Sequence, residues 1–253
     1  MIGLGTMLRK ELLEQWRTRR LVVVAIVFGA IGIGSPLLAR YTPELVKALA
    51  GDQFQIVLPP PTAAEAVDQF LKNVGQAGVL TAILLAMGSV AVEKERGTAA
   101  LLLTKPVSRA AFLLAKLLTI GSTLLIGLLV AAIGGYAYTA ILFEALPAAG
   151  WSAMAGLLLL ALIGYASLTF VGSAVSRSSL AAAAIGIGAM IVLAVVSALP
   201  GIGPFTPGGL NVPGAAMALG KDPGAIIGPV LVNLIGVSFV FGVAWLVFRR
   251  QEF

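Results

Sequence analysis

Between Val92 and Arg109 the chain reads VEKERGTAALLLTKPVSR, a charged stretch that separates two long apolar runs. Charge is scarce elsewhere: Asp, Glu, Lys and Arg make up 11% of the 253 residues, and hydrophobic residues make up 59%. Soluble domains carry about 25% charged residues, so this composition indicates a membrane protein. Cys and His are both absent. Their absence excludes disulfides, thiolate chemistry, haem ligation and the usual zinc sites.

The charged stretch predicts a corner between two membrane-spanning helices. Gly97 is suited to end the helix that leaves the membrane, and Thr98 is placed to cap a short helix over 99–104. Pro106 would end that short helix, because the residue before a proline resists helical angles. Ser108 would then cap the following span.

Leucines 101–103 lie at the tip of this corner, so at least one of them points away from the spans. One interpretation is an interfacial turn whose leucines touch lipid and whose charges only set the topology. The other is a helix that docks on a cytoplasmic partner, since apolar residues ringed by charge suit a small groove. The second interpretation also explains why a cap, three leucines and a proline follow one another so closely.

A spanning helix needs about 20 mostly apolar residues, and six stretches qualify. They are 21–39, 74–92, 112–143, 151–176, 180–199 and 225–248. The third is longer than a bilayer requires, so it must tilt or extend beyond the membrane. The sequence therefore predicts an all-α integral membrane protein, with one transmembrane domain over 1–253.

The positions of the basic residues predict the orientation of these spans. An even number of spans puts both termini on one side, and cytoplasmic loops carry an excess of Lys and Arg. If the termini are inside, 13 of the 17 basic residues lie on the inner side. Only four lie outside: Arg40, Lys47, Lys72 and Lys221. The charged loop and both termini are thus expected in the cytoplasm, with the chain in the cell membrane. The positive charge then reports orientation and not nucleic-acid binding.

The segment before the first span predicts an amphipathic helix over about 6–18. Thr6 can cap it, and Leu8, Leu12 and Trp16 recur every four residues on one face. Such a helix would lie on the inner membrane surface, because Trp suits the interface. A simple cytoplasmic extension of the first span is the alternative. A cleaved secretory signal is not expected, since the run 21–39 exceeds the usual 7–15 apolar residues.

The outer side holds three informative segments. Thr42 and Pro43 predict the start of a short helix that ends near residue 51. Thr62 and Glu65 form a capping box that begins a helix feeding the second span. The segment 200–224 is broken repeatedly by Pro and Gly, with room for one short helical turn at 213–219. It either dips back into the outer leaflet, shielded by protein, or forms a plain exposed loop.

The spans themselves are nearly free of charge. Lys116 lies close enough to the inner end of the third span to extend its amine to the surface. Asn233 is the most central polar side chain of the sixth span, where it either bonds to a neighbouring helix or contacts substrate. The sequence has no G-x-x-x-x-G-K-[ST] loop, so the chain is not expected to hydrolyse ATP or to hold a cofactor itself.

The charged stretch resembles the signature loop of type-2 ABC transporter permeases. In that family an E-x-E-x-G-T pattern precedes paired leucines, P-x-S-R and a lysine that begins the next span. Here the pattern is Glu93-Lys94-Glu95-Arg96-Gly97-Thr98, then Leu101-Leu102, Pro106, Ser108-Arg109 and Lys116. The N-terminal Leu8-Arg9-Lys10-Glu11-Leu12 is similar to the family's elbow helix, and the layout of six spans also fits.

The resemblance implies that loop 93–111 contains a coupling helix docked in a cleft of a separate ATP-binding subunit, which would hold the ATP and Mg. Two permease halves, identical or different, and two ATPases would form an exporter. The segment 200–224 would be a re-entrant element near its exit. The implied docking residues are Glu93, Glu95, Arg96, Gly97, Thr98, Leu101, Leu102, Pro106, Ser108 and Arg109.

Within this set the resemblance assigns three kinds of role. The two glutamates would support the corner and contact the partner, Leu101 and Leu102 would occupy its groove, and Thr98 and Ser108 would act as caps. Two other functions remain as alternatives. One alternative is an ion-coupled or passive carrier. Ion coupling is disfavoured, because the spans hold almost none of the ionisable residues that such carriers use. A membrane enzyme is disfavoured because no nucleophile with a base and no set of metal ligands is present.

Overall fold

The computed structural model describes residues 3–50, 60–98 and 107–251. Within these ranges the chain is helical with no strands. Six of the described helices are long and apolar enough to cross a membrane. They are Arg20–Ala48, Ala63–Glu95, Arg109–Leu142, Ala148–Val175, Ser179–Ser197 and Ile227–Arg249. The predicted fold class, an all-α membrane protein with six spans, is confirmed.

The helices of the described residues are numbered here in chain order. They are α1 (Leu4–Arg17), α2 (Arg20–Ala50), α3 (Ala63–Met87), α4 (Ala91–Glu95), α5 (Arg109–Leu142), α6 (Ala148–Val175), α7 (Ser179–Ser197), α8 (Asn211–Ala218) and α9 (Ile227–Arg249). Helix α1 covers the segment predicted to form an amphipathic helix and is called the elbow helix below; its place on the membrane surface stays a prediction. It starts earlier than residue 6, since Gly3 precedes its first turn with a positive φ of 82°.

Helix α6 is the central helix of the bundle. In its most apolar stretch 61% of the residues are buried, compared with 11% in the corresponding stretches of α7 and α9. It packs against α3, α5, α7, α8 and α9, and Leu162 and Phe170 on it are almost fully buried. Helix α6 is therefore in contact with most of the other helices of the bundle.

Helices α2 and α5 run side by side in the same direction at very close range. A Cβ atom on Gly32 would lie 2.4 Å from the carbonyl oxygen of Ala131, and one on Gly127 would lie 2.8 Å from Val24. Small residues let membrane helices approach in this way. Close packing between them stabilises the pair, because helices in lipid have no hydrophobic driving force for association. These glycines make α2 and α5 a tightly packed pair.

Two helices are longer than the spans predicted from sequence. The short outer helix expected to start at Thr42 does not exist as a separate element, because α2 continues through Pro36 and Pro43 to Ala50. Thr42 does not cap a helix start; its hydroxyl donates to the carbonyl oxygen of Leu38 at 2.5 Å.

Helix α3 begins well before the predicted span 74–92. The capping box at its start is present as predicted, with the Glu65 N–H donating to the Thr62 hydroxyl and the Thr62 N–H donating to the Glu65 carboxylate. The helix ends at Met87, and residues 88–90 separate it from α4. The predicted second span is thus formed by two helices joined at a break.

The segment 200–224 folds back on the bundle. It forms two short 3-10 turns, Gly203–Phe205 and Gly208–Leu210, followed by α8. Leu210 and Ala218 are fully buried, and a Cβ atom on Gly150 of α6 would lie 1.9 Å from the carbonyl oxygen of Met217. Protein thus covers much of this irregular backbone, which is the condition under which such a segment can lie within a membrane.

Candidate functional site

The loop after α4 begins with a well-defined helix end. Gly97 adopts the left-handed conformation, with a φ of 69°, and its N–H donates to the carbonyl oxygen of Lys94 at 3.1 Å. The hydroxyl of Thr98 donates to the carbonyl oxygen of Glu93 at 3.2 Å. Both residues therefore close α4. The short helix that Thr98 was predicted to cap lies outside the described residues.

The far side of the loop is fixed by the start of α5. Ser108 is its N-cap, and its side-chain oxygen accepts a hydrogen bond from the N–H of Ala111 at 3.2 Å. This satisfies one of the N–H groups that have no partner within the helix. The predicted cap of the third span is present.

Four charged side chains meet where the elbow helix, α4 and α5 come together. The amine of Lys116 donates to Glu11 Oε1 at 3.1 Å and to Glu93 Oε1 at 2.8 Å. The amine of Lys10 donates to the same two oxygens, at 2.9 Å and 3.1 Å. Two lysines and two carboxylates thus alternate around a closed ring. These four residues are called the charge cluster below.

The charge cluster corrects the expectation for Lys116. This lysine does not extend to the surface, because it is only 4% exposed. Its amine lies between two carboxylates and 5.1 Å from the centre of the Phe112 ring. A buried ammonium of this kind is tolerated only when opposite charges and hydrogen bonds compensate for the water that it has lost.

The two elbow residues of the charge cluster have perturbed pKa values. Burial alone raises the pKa of Glu11, but Lys116 and Lys10 outweigh burial and hold that pKa below its ordinary value. Burial alone lowers the pKa of Lys10, but Glu11 and Glu93 outweigh it and hold that pKa above its ordinary range. Both side chains are therefore charged at neutral pH, and each stabilises the charge of the other.

Arg109 joins the loop to the end of the last span. Its guanidinium donates to the carbonyl oxygens of Phe248, Arg249 and Gln251, at 3.1, 2.7 and 2.9 Å. The last carbonyls of a helix have no partner within the helix and carry partial negative charge, so a cation is favourable there. Arg109 thus ties α5 to the end of α9.

Lys94 makes a similar connection to α6. Its amine donates to the carbonyl oxygens of Ala174 and Ser176, and it lies 5.7 Å from the centre of the Phe248 ring. The side-chain amide of Gln251 also donates to the Ala174 carbonyl, at 3.0 Å. The ends of α4, α6 and α9 are therefore linked through a small set of polar groups.

The predicted docking residues divide into three groups in the structure. Glu93 points inward to the charge cluster, and its side chain is 15% exposed. Glu95, Arg96, Gly97 and Ser108 are exposed, whereas Thr98 and Arg109 are half-buried. Leu101, Leu102 and Pro106 lie outside the described residues. The described part of the loop thus has an inward anchor at Glu93 and an exposed surface over Glu95 to Gly97.

Sequence reasoning did not identify Lys10 and Glu11 as the partners of Lys116. They were recognised only as part of the elbow helix. Acidic residues are rare in this chain, with 11 in total, and a buried lysine needs an acid near it. That requirement was the available signal, although it could not show which acid is used.

Asn233, the central polar residue of the last span, has two partners. Its side-chain amide donates to the carbonyl oxygen of Phe205 in the segment 200–224 at 3.1 Å, and to that of Pro229 in its own helix at 2.9 Å. Asn233 therefore holds the segment 200–224 against α9. Among the described residues, no group of three or more His, Cys, Asp and Glu side chains could hold a metal ion.

Comparison with known proteins identifies a family and a relative in sequence. The family model described as ABC-2 family transporter protein matches residues 6–206. The uncharacterized transmembrane protein YxlG of Bacillus subtilis (strain 168) is 32% identical over 188 residues, which cover 72% of this chain and 71% of that protein. The family match includes the elbow helix, the charged loop and the first five spans. The chain belongs to the ABC-2 family of transporter membrane proteins.

Proposed function

We propose that this chain is the membrane-spanning permease half of an ATP-driven exporter in the cell membrane. In this proposal, loop 93–111 docks a separate ATP-binding subunit, and both termini face the cytoplasm. Two permease halves and two ATPases make up the transporter. The proposal goes beyond family membership by assigning the partner, the docking loop and the direction of transport.

The charge cluster is the observation that carries this proposal. It fixes α4 to the elbow helix and to α5 through Glu93, while Glu95, Arg96 and Gly97 remain exposed. A loop that only had to turn a chain at the membrane surface would not need an anchor of four charges, three of which are largely buried. A loop that has to transmit force from a partner into the spans needs a rigid base of this kind.

The source of energy supports the same conclusion. The sequence lacks a phosphate-binding G-x-x-x-x-G-K-[ST] loop, so ATP and Mg would be held by the partner chain. The spans hold few charged groups, and a neutral pathway suits amphipathic or lipid-like cargo. We therefore expect export of apolar or amphipathic molecules, powered from outside this chain.

An ion-coupled carrier is the second candidate, because the charge cluster contains buried ionisable groups that relay protons in some transporters. Its position argues against that role. Glu11 and Lys10 lie on the elbow helix, outside the spans, and Glu93 adjoins the exposed loop. A proton relay has to extend across the membrane, whereas these groups are gathered at one end of the bundle.

Affinity purification in mild detergent tests the proposal directly. Mass spectrometry of the purified complex should identify a chain that contains a phosphate-binding loop. Replacing Leu101 and Leu102 with Asp should leave membrane insertion intact and release that chain into the soluble fraction. Each unpaired charge forced into an apolar groove costs several kcal/mol, which exceeds what a modest contact can compensate.

Arg96→Gln is the comparison within the same docking set, because it removes one exposed charge and forces no charge into an apolar groove. Arg96 is exposed, and exposed ion pairs contribute about 0–1 kcal/mol, so the complex should persist. Lys94 is unsuitable as a control, because it bonds to carbonyl oxygens at the end of α6. A normal complex in the double Asp variant would overturn the assignment of the loop. Purification of the chain without any ATP-binding partner would favour the carrier.

A further inference from the structure

The break between α3 and α4 is organised by one hydroxyl from another helix. Ser173 lies on α6 and is fully buried. Its hydroxyl donates to the carbonyl oxygen of Met87 at 2.8 Å, and it accepts hydrogen bonds from the N–H groups of Val90 at 3.0 Å and Ala91 at 2.9 Å. A single side-chain oxygen thus serves three backbone groups on both sides of the break.

The positions of these backbone groups show what the hydroxyl replaces. In a continuous α-helix the N–H of residue i bonds to the carbonyl of residue i−4, so Ala91 would bond directly to Met87. Here the hydroxyl of Ser173 stands between these two groups and bonds to both. Insertion of a side chain into the ladder of helix hydrogen bonds is a recognised cause of a sharp kink.

The neighbouring residues have adapted to the same insertion. The backbone N–H and the hydroxyl of Ser89 both donate to the carbonyl oxygen of Ala86, at 3.2 and 2.7 Å. That carbonyl would accept from Val90 in a continuous helix, so the Val90 N–H turns to Ser173 instead. The backbone groups of Met87, Val90 and Ala91 at the break therefore have partners, so the break is an ordered arrangement and not a frayed helix end.

Ser173 differs from the other hydroxyls of α6 and its C-cap. Ser167, Thr169 and Ser176 each donate to the carbonyl four residues earlier in the chain, at 2.7, 3.1 and 2.7 Å. This is the usual position for a hydroxyl in an apolar helix. Ser173 could make the same bond to the carbonyl of Thr169, but its hydroxyl bonds across to Met87. It therefore has two alternative partners, one on each helix.

We propose that residues 88–90 form a hinge in the second span, and that Ser173 of α6 is the positioning residue that selects its arrangement. In the broken state, which is the one observed, the hydroxyl of Ser173 is inserted between the Ala91 N–H and the Met87 carbonyl. In the straight state the hydroxyl returns to the carbonyl of Thr169, and the Ala91 N–H bonds directly to Met87. Both states satisfy the buried polar groups, so the element has two discrete arrangements and not a continuous range.

The loop that would dock the ATPase follows directly after this hinge. The role of the hinge in transport therefore rests on the proposed function. Helix α4 holds Glu93, and Lys94 bonds to Ala174 and Ser176, which lie within one turn of Ser173. Straightening at residues 88–90 would therefore move the loop relative to α6. Helix α6 also contacts the segment 200–224 near its other end. A movement of the loop relative to α6 could therefore be transmitted along α6 to that segment.

Distances between spin labels test the hinge in the full-length chain in lipid nanodiscs. The chain has no cysteine of its own, so labels attach only at introduced cysteines. Glu95→Cys places one label on α4, beyond the hinge, and Leu180→Cys places the other on α7; both positions are exposed. Residue 95 lies about 8 Å along the helix from the hinge, so a change of about 20° moves it by roughly 3 Å. Ser173→Ala should shift this distance by up to about that amount.

A second label pair and a control variant make the result specific. The pair Leu80→Cys and Ile187→Cys lies away from the hinge on exposed positions, and its distance should not change. Ser167→Ala removes a buried hydroxyl from the same helix that bonds only within α6, and it should leave both distances unchanged. General destabilisation would broaden both distributions, whereas straightening shifts only the first.

A further variant covers the case in which Ser173→Ala fails to fold. Gly88→Ala raises helix propensity at the break, and its new Cβ would meet only the side chain of Val92, at 3.2 Å. It should move the population towards the straight distance. Unchanged distances in these two variants would overturn the hinge. Because no ATPase is needed, this outcome is independent of whether the chain docks one.

Discussion

Lys116 is the residue whose burial has the clearest energetic consequence. Its amine is enclosed by Glu11, Glu93 and the Phe112 ring. Removing one member of a buried ion pair is costly, because it leaves the opposite charge buried without compensation. The charge cluster does not have to add much net stability to be important. Its value lies in specifying one arrangement of α1, α4 and α5.

Lys116→Met keeps most of the volume of the side chain and removes the charge. We expect it to destabilise the protein by about 3–5 kcal/mol, because Glu11 and Glu93 would share the single amine of Lys10. Thermal unfolding in detergent measures the loss. Lys72→Met is the control, since Lys72 is exposed and such changes stay within about 0.5 kcal/mol. Equal stability of the two variants would show that the cluster is not required.

The depressed pKa of Glu11 predicts how this stability depends on pH. A carboxyl whose pKa is lower in the folded state contributes stability that is complete above its unfolded pKa and is lost as pH falls through the folded value. Lys10 has a raised pKa, so its contribution persists throughout the neutral range. The midpoint of unfolding should therefore decrease on acidification below about pH 4.3, the ordinary pKa of Glu.

Glu11→Gln isolates this contribution. At neutral pH the variant should unfold at a lower temperature than the wild type, and the difference should narrow as pH falls below the ordinary pKa of Glu. The protonated Glu11 carboxyl and the amide that replaces it are then both neutral, so charge no longer distinguishes the two proteins. A difference that stays constant from neutral to strongly acidic pH would contradict the assigned charge of Glu11.

At the scale of elements, Arg109 of α5 caps the C-terminal end of α9. Its guanidinium occupies three carbonyl oxygens at the end of that helix. Arg109→Gln should release these groups and increase amide exchange in residues 245–251 by about 10-fold or more, since a hydrogen bond to a charged group contributes about 1.5–3 kcal/mol. Arg250→Gln, which removes an exposed charge from the same helix end, should have a smaller effect. Hydrogen–deuterium exchange read by mass spectrometry compares the two.

The sequence predicted those features that depend on residues only a few positions apart along the chain. The capping box of Thr62 and Glu65 and the cap at Ser108 both act over three residues, and each is present. The six spans were predictable because each must supply its own apolar length. Such features depend on nearby residues and on the membrane, and not on the way the helices pack.

The contacts that build the candidate site act over long distances in the sequence and were not predictable in the same way. Glu11 and Lys116 are 105 residues apart, and Ser173 and Ala91 are 82 apart. Spacing along the chain does not tell which faces of two helices meet. Thr42 shows the opposite error, because a good cap signal next to Pro43 was overridden when α2 continued through it.

At the scale of the whole molecule, the ion pairs among the described residues gather at one end of the bundle. The charge cluster, the contacts of Arg109 with α9 and those of Lys94 with α6 all lie there. The excess of Lys and Arg predicts this end to be cytoplasmic. The folded segment 200–224, held by Asn233 and by α6, lies at the other end. Docking and exit would thus be separated by the length of the spans.

Single cysteines at exposed positions test this orientation. Arg177 follows α6 at the charged end, and Lys221 follows α8 at the other end; both are exposed. In intact cells, Lys221→Cys should react with a membrane-impermeant maleimide, and Arg177→Cys should react only after the membrane is opened.

Gly209 is a poor site for this test, because a Cβ there would lie 2.1 Å from the carbonyl oxygen of Gly203. The chain has no native cysteine, so every signal comes from the introduced residue. Labelling of both positions from outside would require a different number of spans between them, and docking of a cytoplasmic ATPase on the loop would then be impossible.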